Sequence, residues 1–365
     1  MKTKQTHEKL FHVVKRAEMP RSKAIIIRIA AVTAALLLCT LLAMLLVNKA
    51  TPDKFLKTFF DGMFSTPRRR WKFAKDAAVL LCISLAVTPA FRMKFWNIGA
   101  EGQVLVGALA SVACAFYLGD KVPGPLLLVI MFVASVLAGA LWAFIPAIFK
   151  AKWGTNETLF TLMMNYVATQ LVAYMLLVWV PSGSSALGAL KHGHLPVLFG
   201  YEYLLLIIAV LVLTVLSYIY LNHTKHGYEI SVVGESENTA RYIGISVGKV
   251  VLRTMLVSGA ICGVAGFLIV GALDHSVTTT TVGGLGFTAI MVSWLAKFNP
   301  IIMIGTAALI TGLSQGGAQV STTFNISNAF PSMVVGIILF FIIGCEFFIN
   351  YKIKSRLWGK KEERA

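Results

Sequence analysis

Residues 97–103 read Asn-Ile-Gly-Ala-Glu-Gly-Gln. Asn97, Glu101 and Gln103 stand among glycines at the start of an apolar run, where two amides and a carboxylate could bind a polar solute or tie down a break in a helix. A charge at the bilayer centre costs about 3 kcal/mol on insertion scales, so a carboxylate so placed faces a cavity or a partner. The residue types leave substrate contact and structural break both standing. In 156–166, N-E-T-L-F-T-L-M-M-N-Y, the polar residues Thr158, Thr161 and Asn165 recur at helical spacing and give one helix a polar face. Such a face serves interhelical hydrogen bonding or lines a pore, and Asn165 is expected in the pore. Gln315 and Gln319, four apart, sit among Gly312, Gly316 and Gly317. The glycines are expected to permit close helix packing, and Gln315 to meet substrate.

Chemistry beyond hydrogen bonding finds little support. The segment 244–250, G-I-S-V-G-K-V, has three residues between its glycines and Val after Lys249, where a phosphate loop needs four and Ser or Thr. The segment 284–289, G-L-G-F-T-A, matches a dinucleotide fingerprint loosely, but no βαβ unit surrounds it, and a glycine-rich membrane helix is the better reading. His192 and His194 have no third ligand nearby in sequence and read as surface histidines. Cys39, Cys82, Cys114, Cys262 and Cys345 all lie in apolar runs without C-x-x-C, as small apolar residues rather than metal ligands or a disulfide frame. Without a Ser-His-Asp set or paired carboxylates, the chain is expected not to be an enzyme.

The elements that must position these residues are membrane helices. The 365 residues are 57% hydrophobic and only 13% charged, with mean hydropathy +0.76. A soluble domain carries about 25% charged residues. Ten apolar runs are candidate spans, at about 24–47, 76–91, 100–118, 126–149, 159–181, 201–221, 253–274, 285–299, 301–324 and 331–350. The second and eighth are short, and polar or glycine-rich sequence adjoins both, the pattern of broken helices beside a substrate pathway. The polar lead before the first span is long and the span is of full length, so a cleavable signal is not expected.

The net charge of +17 comes from short basic clusters between the spans. That placement suits orientation and anionic lipid headgroups, and no nucleic-acid partner is expected. With a cytoplasmic N-terminus, 22 of the 33 Lys+Arg fall in inner segments, 10 in outer ones, and Arg28 within the first span. The bias supports N-in and C-in. Residues 49–75 oppose it, with Arg68, Arg69, Arg70, Lys72 and Lys75 outside; they are expected to form an amphipathic surface helix, or else the topology differs there. The expected fold is all-α: a polytopic bundle of about ten spans, a basic N-terminus 1–23, a membrane domain 24–350 and a basic tail 351–365. The longest inner loop, 222–252, is polar around a short helical stretch and is punctuated by Gly227, Gly234, Gly244 and Gly248.

Four stretches in order resemble the permease subunits of bacterial nucleoside ABC importers, within the branched-chain amino acid and simple-sugar permease group. They are 97–103; 156–168, N-E-T-L-F-T-L-M-M-N-Y-V-A; 221–245, L-N-H-T-K-H-G-Y-E-I-S-V-V-G-E-S-E-N-T-A-R-Y-I-G-I; and 283–300, G-G-L-G-F-T-A-I-M-V-S-W-L-A-K-F-N-P. The resemblance covers about 90–345. The chain departs from the family pattern at Thr239, and Trp294, Ala296 and Lys297 make the last stretch more polar than that pattern. The resemblance implies a subunit of the bacterial cell membrane that binds no cofactor itself. A separate cytoplasmic ABC ATPase would hold ATP and Mg, a second permease would complete a heterodimer, and a lipoprotein would deliver substrate. It further implies a coupling helix within 234–245, with Glu235, Ala240, Arg241, Tyr242 and Gly244 meeting the ATPase. The substrate pathway is expected to use Asn97, Glu101, Gln103, Thr161, Asn165 and Gln315. Glu101 favours a nucleoside over a simple sugar, because the sugar-specific relatives tend to lack it. A sugar permease and an ATPase-independent secondary transporter are the alternatives.

Overall fold

The computed structural model describes residues 11–16, 19–46, 51–180 and 187–355. Among them run β1 (Phe11–Lys15), α1 (Arg21–Leu46), α2 (Pro52–Phe64), α3 (Pro67–Arg92), α4 (Ala100–Leu118), α5 (Gly124–Trp153), α6 (Glu157–Trp179), α7 (Leu204–His223), α8 (Lys225–Glu235), α9 (Glu237–Tyr242), α10 (Val247–Ile269), α11 (Leu285–Leu295), α12 (Pro300–Phe324), α13 (Phe330–Asn350) and β2 (Tyr351–Ser355). Eight of these helices are long and apolar enough to cross a membrane: α3, α4, α5, α6, α7, α10 with its π-helical end, α12 and α13. Apolar helical stretches also occupy Ile29–Leu45 of α1 and the whole of α11. Parts of the expected basic ends, 1–10, 17–18 and 356–365, lie outside the described residues.

One expectation is corrected. The second span is not short: α3 has 26 residues, and Arg68, Arg69, Arg70, Lys72 and Lys75 form its opening turns. Lys and Arg are good helix formers, so nothing in that basic run stops the helix. The part of 49–75 that stands apart is α2, whose Phe55, Phe59 and Met63 are buried on one face. The fold is the expected helical bundle, with one small addition: β1 and β2 pair antiparallel, with Phe11 opposite Ser355 and Lys15 opposite Tyr351. The 222–252 loop holds two helices, α8 and α9, divided as its glycine punctuation suggests. Local side chains start them: Thr224 Oγ1 accepts from Gly227 N at 3.1 Å and Ser236 Oγ from Thr239 N at 3.2 Å.

The chain forms two compact units, Met1–Arg69 with Gly312–Ala365, and Arg70–Thr311. In the first, α1 packs along α13. The α2 helix lies against α12 so closely that a Cβ on Gly62 would stand 2.8 Å from Gln319 Cβ. In the second, α4, α5 and α10 form the tightest group. Small residues allow this: a side chain on Gly139 or Gly263 would collide with the facing backbone. Ser135 Oγ lies 2.8 Å from Gly107 O and 2.7 Å from Gly263 O, tying α5 to both neighbours.

Candidate functional site

The chain leaves α3 at Arg92, crosses a non-helical stretch and re-enters a helix at Ala100. Backbone N–H and C=O groups freed by such a break need partners inside a membrane. The motif residues are those partners. Asn97 is fully buried. Its Oδ1 accepts from Gly99 N at 3.0 Å and from Gln103 Nε2 at 3.1 Å, while its Nδ2 lies 3.4 Å from Ser258 Oγ on α10. Thr161 and Asn165, on α6, complete the cradle. Thr161 Oγ1 accepts from Ile98 N at 3.1 Å; Asn165 Oδ1 accepts from Gly102 N at 2.9 Å and its Nδ2 donates to Ile98 O at 2.9 Å. The structure thus brings Asn97, Gln103, Thr161 and Asn165 into one network, and each spends hydrogen-bonding capacity on the break.

Glu101 spends its carboxylate on another helix. Its Oε1 accepts from Gly284 N at 2.7 Å and its Oε2 from Gly286 N at 2.8 Å. These are N–H groups at the start of α11, whose own N-cap residue, Gly284, has φ +81° and no side chain to offer. A carboxylate there satisfies two orphan donors and meets the positive end of the helix dipole. Gly286 makes the approach possible, because a Cβ on it would stand 2.6 Å from Glu101 N and 2.8 Å from Oε2. Near its other end α11 is fixed to α3 by Ser293 Oγ, 2.9 Å from Thr88 Oγ1. Gln315 belongs to the first unit, where its carbonyl faces Gly62 of α2.

The expected coupling residues lie on and beside α9. Ala240 is fully buried, in a cluster with Ala90, Met93, Phe95, Leu221, Ile230 and Val250. Glu235, Arg241, Tyr242 and Gly244 are exposed, Tyr242 at 92% and the neighbouring Ile243 at 51%. Arg241 and Glu237 are 3.6 Å apart, an exposed pair of little energetic weight. Beneath them α8 touches the end of α3: a Cβ on Gly234 would collide with the Arg92 carbonyl, and Arg92 Nη1 donates to Asn222 Oδ1 at 3.1 Å. Glu229 of α8 accepts from Arg253 of α10 at 2.6 Å. That hydrogen bond holds its carboxyl below the usual carboxylate range.

Sequence reasoning missed several partners. Its isolated His194 meets His275, their ring centroids 4.1 Å apart, and His192 Nε2 lies 2.9 Å from Asp120 Oδ1. It also passed over the exposed indole of Trp96 in the break, and named Trp294 on α11 only as a departure from the family pattern, without its pairing to Trp96. The glycine pair at 283–284 marked a break before α11, but no local signal names Glu101 as its cap.

Residues 71–343 match the model of a family described as the permease component of the branched-chain amino acid transport system. The chain belongs to this family: it is the membrane permease component of an ABC-type transporter, and a multi-pass membrane protein. It is similar to the glucose ABC transporter permease protein TsgB13 of Haloferax volcanii, 30% identical over 76% of this chain and 76% of that protein. The guanosine ABC transporter permease protein NupP of Bacillus subtilis is 31% identical over 71% of this chain and 76% of that protein. The nucleoside ABC transporter permease protein NupB of Lactococcus lactis is 28% identical over 72% of this chain and 75% of that protein.

Proposed function

We propose that this chain is one membrane half of an ATP-driven importer that carries nucleosides into the cell. The observation that carries the coupling part is the α8–α9 element: its buried side includes Ala240 and rests on residues 90–95, while Tyr242 and Ile243 project outward. A cytoplasmic ATPase that closes on ATP and Mg²⁺ would push on that exposed tip. The push would reach the end of α3 through the Gly234–Arg92 contact, and then the break and α11. Ala240 serves as the anchor of the tip; Arg241 and Tyr242 present its contact surface, with Glu235 and Gly244 at its edges. Transport is then a population shift between outward- and inward-open states.

In this reading the chain crosses the membrane ten times, with α1 and α11 added to the eight long helices. The pairing of β1 with β2 supports an even number of crossings, because it sets the two ends of the span series side by side. The basic bias of the inner segments supports N-in and C-in. A second permease pairs with this one, lipids surround both, and a lipoprotein delivers solute at the outer face. Relatives carrying guanosine and nucleosides support the substrate. A sugar is the second reading, favoured by the glucose permease among them.

The test is uptake of labelled guanosine, adenosine and ribose by cells with and without this chain, each with and without the partner ATPase. Nucleoside uptake that needs both is the expected result. Uptake of ribose alone would replace the substrate, and uptake that persists without the ATPase would replace the mechanism.

A further inference from the structure

Trp96 and Trp294 are 44% and 51% exposed, with ring centroids 5.4 Å apart and planes inclined at 48°. Phe91 braces Trp96 edge-on at 5.9 Å, and Phe298 braces Trp294 at 6.3 Å. Large exposed indoles on a membrane chain face lipid, a partner or a water-filled path. The nucleoside reading favours the path over a partner, and the backbone under Trp96 argues against lipid. It is not helical, and its neighbours bond interior positions of two helices: Asn97 reaches Ser258, the twelfth residue of α10, and Ile98 bonds Thr161 and Asn165, the fifth and ninth of α6. In the topology proposed above this stretch lies near the cytoplasmic ends of the spans, and irregular backbone within a membrane is tolerated only where protein or a water-filled cavity covers it, not against acyl chains.

We propose that Trp96 and Trp294 form a stacking platform for the planar base of the transported nucleoside. This inference rests on the nucleoside reading above and assigns that solute's base a place. The two rings are too close to admit a base between them, since an intercalated ring needs about 7 Å, twice the van der Waals separation of carbon atoms. The base therefore lies across their exposed faces. Stacking on indole is tolerant of base identity, because every base has a π-face. The platform continues along α11 through Met291 and Phe287, which are exposed on the same side as Trp294 at helical spacing. Glu101 enters as a positioning residue: by capping α11 it sets where Trp294 stands relative to Trp96.

The test measures guanosine uptake by the complete importer carrying Trp294→Phe, Trp294→Leu, Trp294→Ala or Trp96→Ala, normalised to assembled transporter. Removal of either indole is expected to raise KM about tenfold, with a smaller change in maximal rate. Trp294→Phe is expected to stay within about threefold of the parent, because a phenyl ring still stacks, whereas Trp294→Leu should behave as Trp294→Ala. Equal rescue by leucine and phenylalanine would overturn the platform in favour of packing, and an unchanged KM in all four would overturn it in favour of an interfacial anchor. If an alanine variant fails to assemble, the phenylalanine and leucine pair decides, since both keep bulk. Absence of nucleoside uptake by the parent importer would instead overturn the nucleoside reading itself, a result separate from normal uptake by the variants.

Discussion

The break at 93–99 and the α8–α9 element both look functional in the sequence, as polar stretches between apolar spans, yet the structure uses their polar groups in opposite ways. Asn97, Gln103, Thr161 and Asn165 are buried, and Glu101 reaches across 183 residues to Gly284. Arg241 and Tyr242 stand 67% and 92% exposed. In a helical membrane protein, a polar side chain is first a means of satisfying backbone where the helix stops. Only groups left over from that task remain for solute or partner. By that criterion the amides of the break hold its backbone, while the exposed indoles beside it and the α9 tip are the groups left free for the contacts proposed above.

Breaking the buried side of this comparison has the largest expected effect. Glu101→Ala removes two charge-assisted hydrogen bonds worth about 2 kcal/mol each and strands two N–H groups of α11. Guanosine uptake per assembled transporter should fall more than about tenfold, and the purified chain should melt earlier. Gly286→Ala should match it through the Cβ clash, although it removes no polar group. Normal uptake in Glu101→Ala would mean that α11 needs no cap.

Asn165→Ala comes next. It deletes the bonds to Gly102 N and Ile98 O, and should lower stability by about 2 kcal/mol, read as a lower melting temperature in detergent. Were Asn165 mainly a solute contact, its loss would change KM and leave the melting temperature alone.

On the exposed side, Arg241→Glu should separate assembly from folding. Its ion pair with Glu237 is exposed, so stability should move by less than about 0.5 kcal/mol. Co-purification of the ATPase and uptake should both drop severalfold. Normal uptake in this variant would remove α9 from the coupling role.

The smallest effect is a pH dependence at His275. Burial, and then His194, hold the His275 imidazole below its ordinary value of 6.5. The folded state therefore resists the proton that the unfolded state accepts, and stability should fall as pH drops through about 6.5, levelling off below the folded pKa. His275→Asn, which suits the backbone φ of +49°, should flatten that fall when melting is compared at pH 7.5 and 5.5.

Much of this was legible in the residues. Apolar runs located the long helices because bilayer thickness fixes their length. The polar face of α6 followed from the helical spacing of Thr161 and Asn165. The same composition could not say how far a charged run continues a helix, so α3 was placed nine residues late at its start. Nor could it tell whether Asn165 faced solute or a neighbouring turn, since both uses ask for the same side chain at the same spacing.

The caps draw the line between the two kinds of knowledge. Asn156 caps α6, Thr224 caps α8 and Ser236 caps α9, each through a hydrogen bond three residues ahead. A three-residue bond depends on local backbone geometry alone, so the sequence by itself determined where those helices begin. The cap of α11 lies 183 residues away, and so did the pairing of Trp96 with Trp294 await the fold. Which carboxylate reaches Gly284 depends on how the apolar and glycine surfaces of α4, α5 and α10 close on one another. Burial of apolar area is non-directional and leaves no pairwise mark in the chain, so only the tertiary structure could decide it.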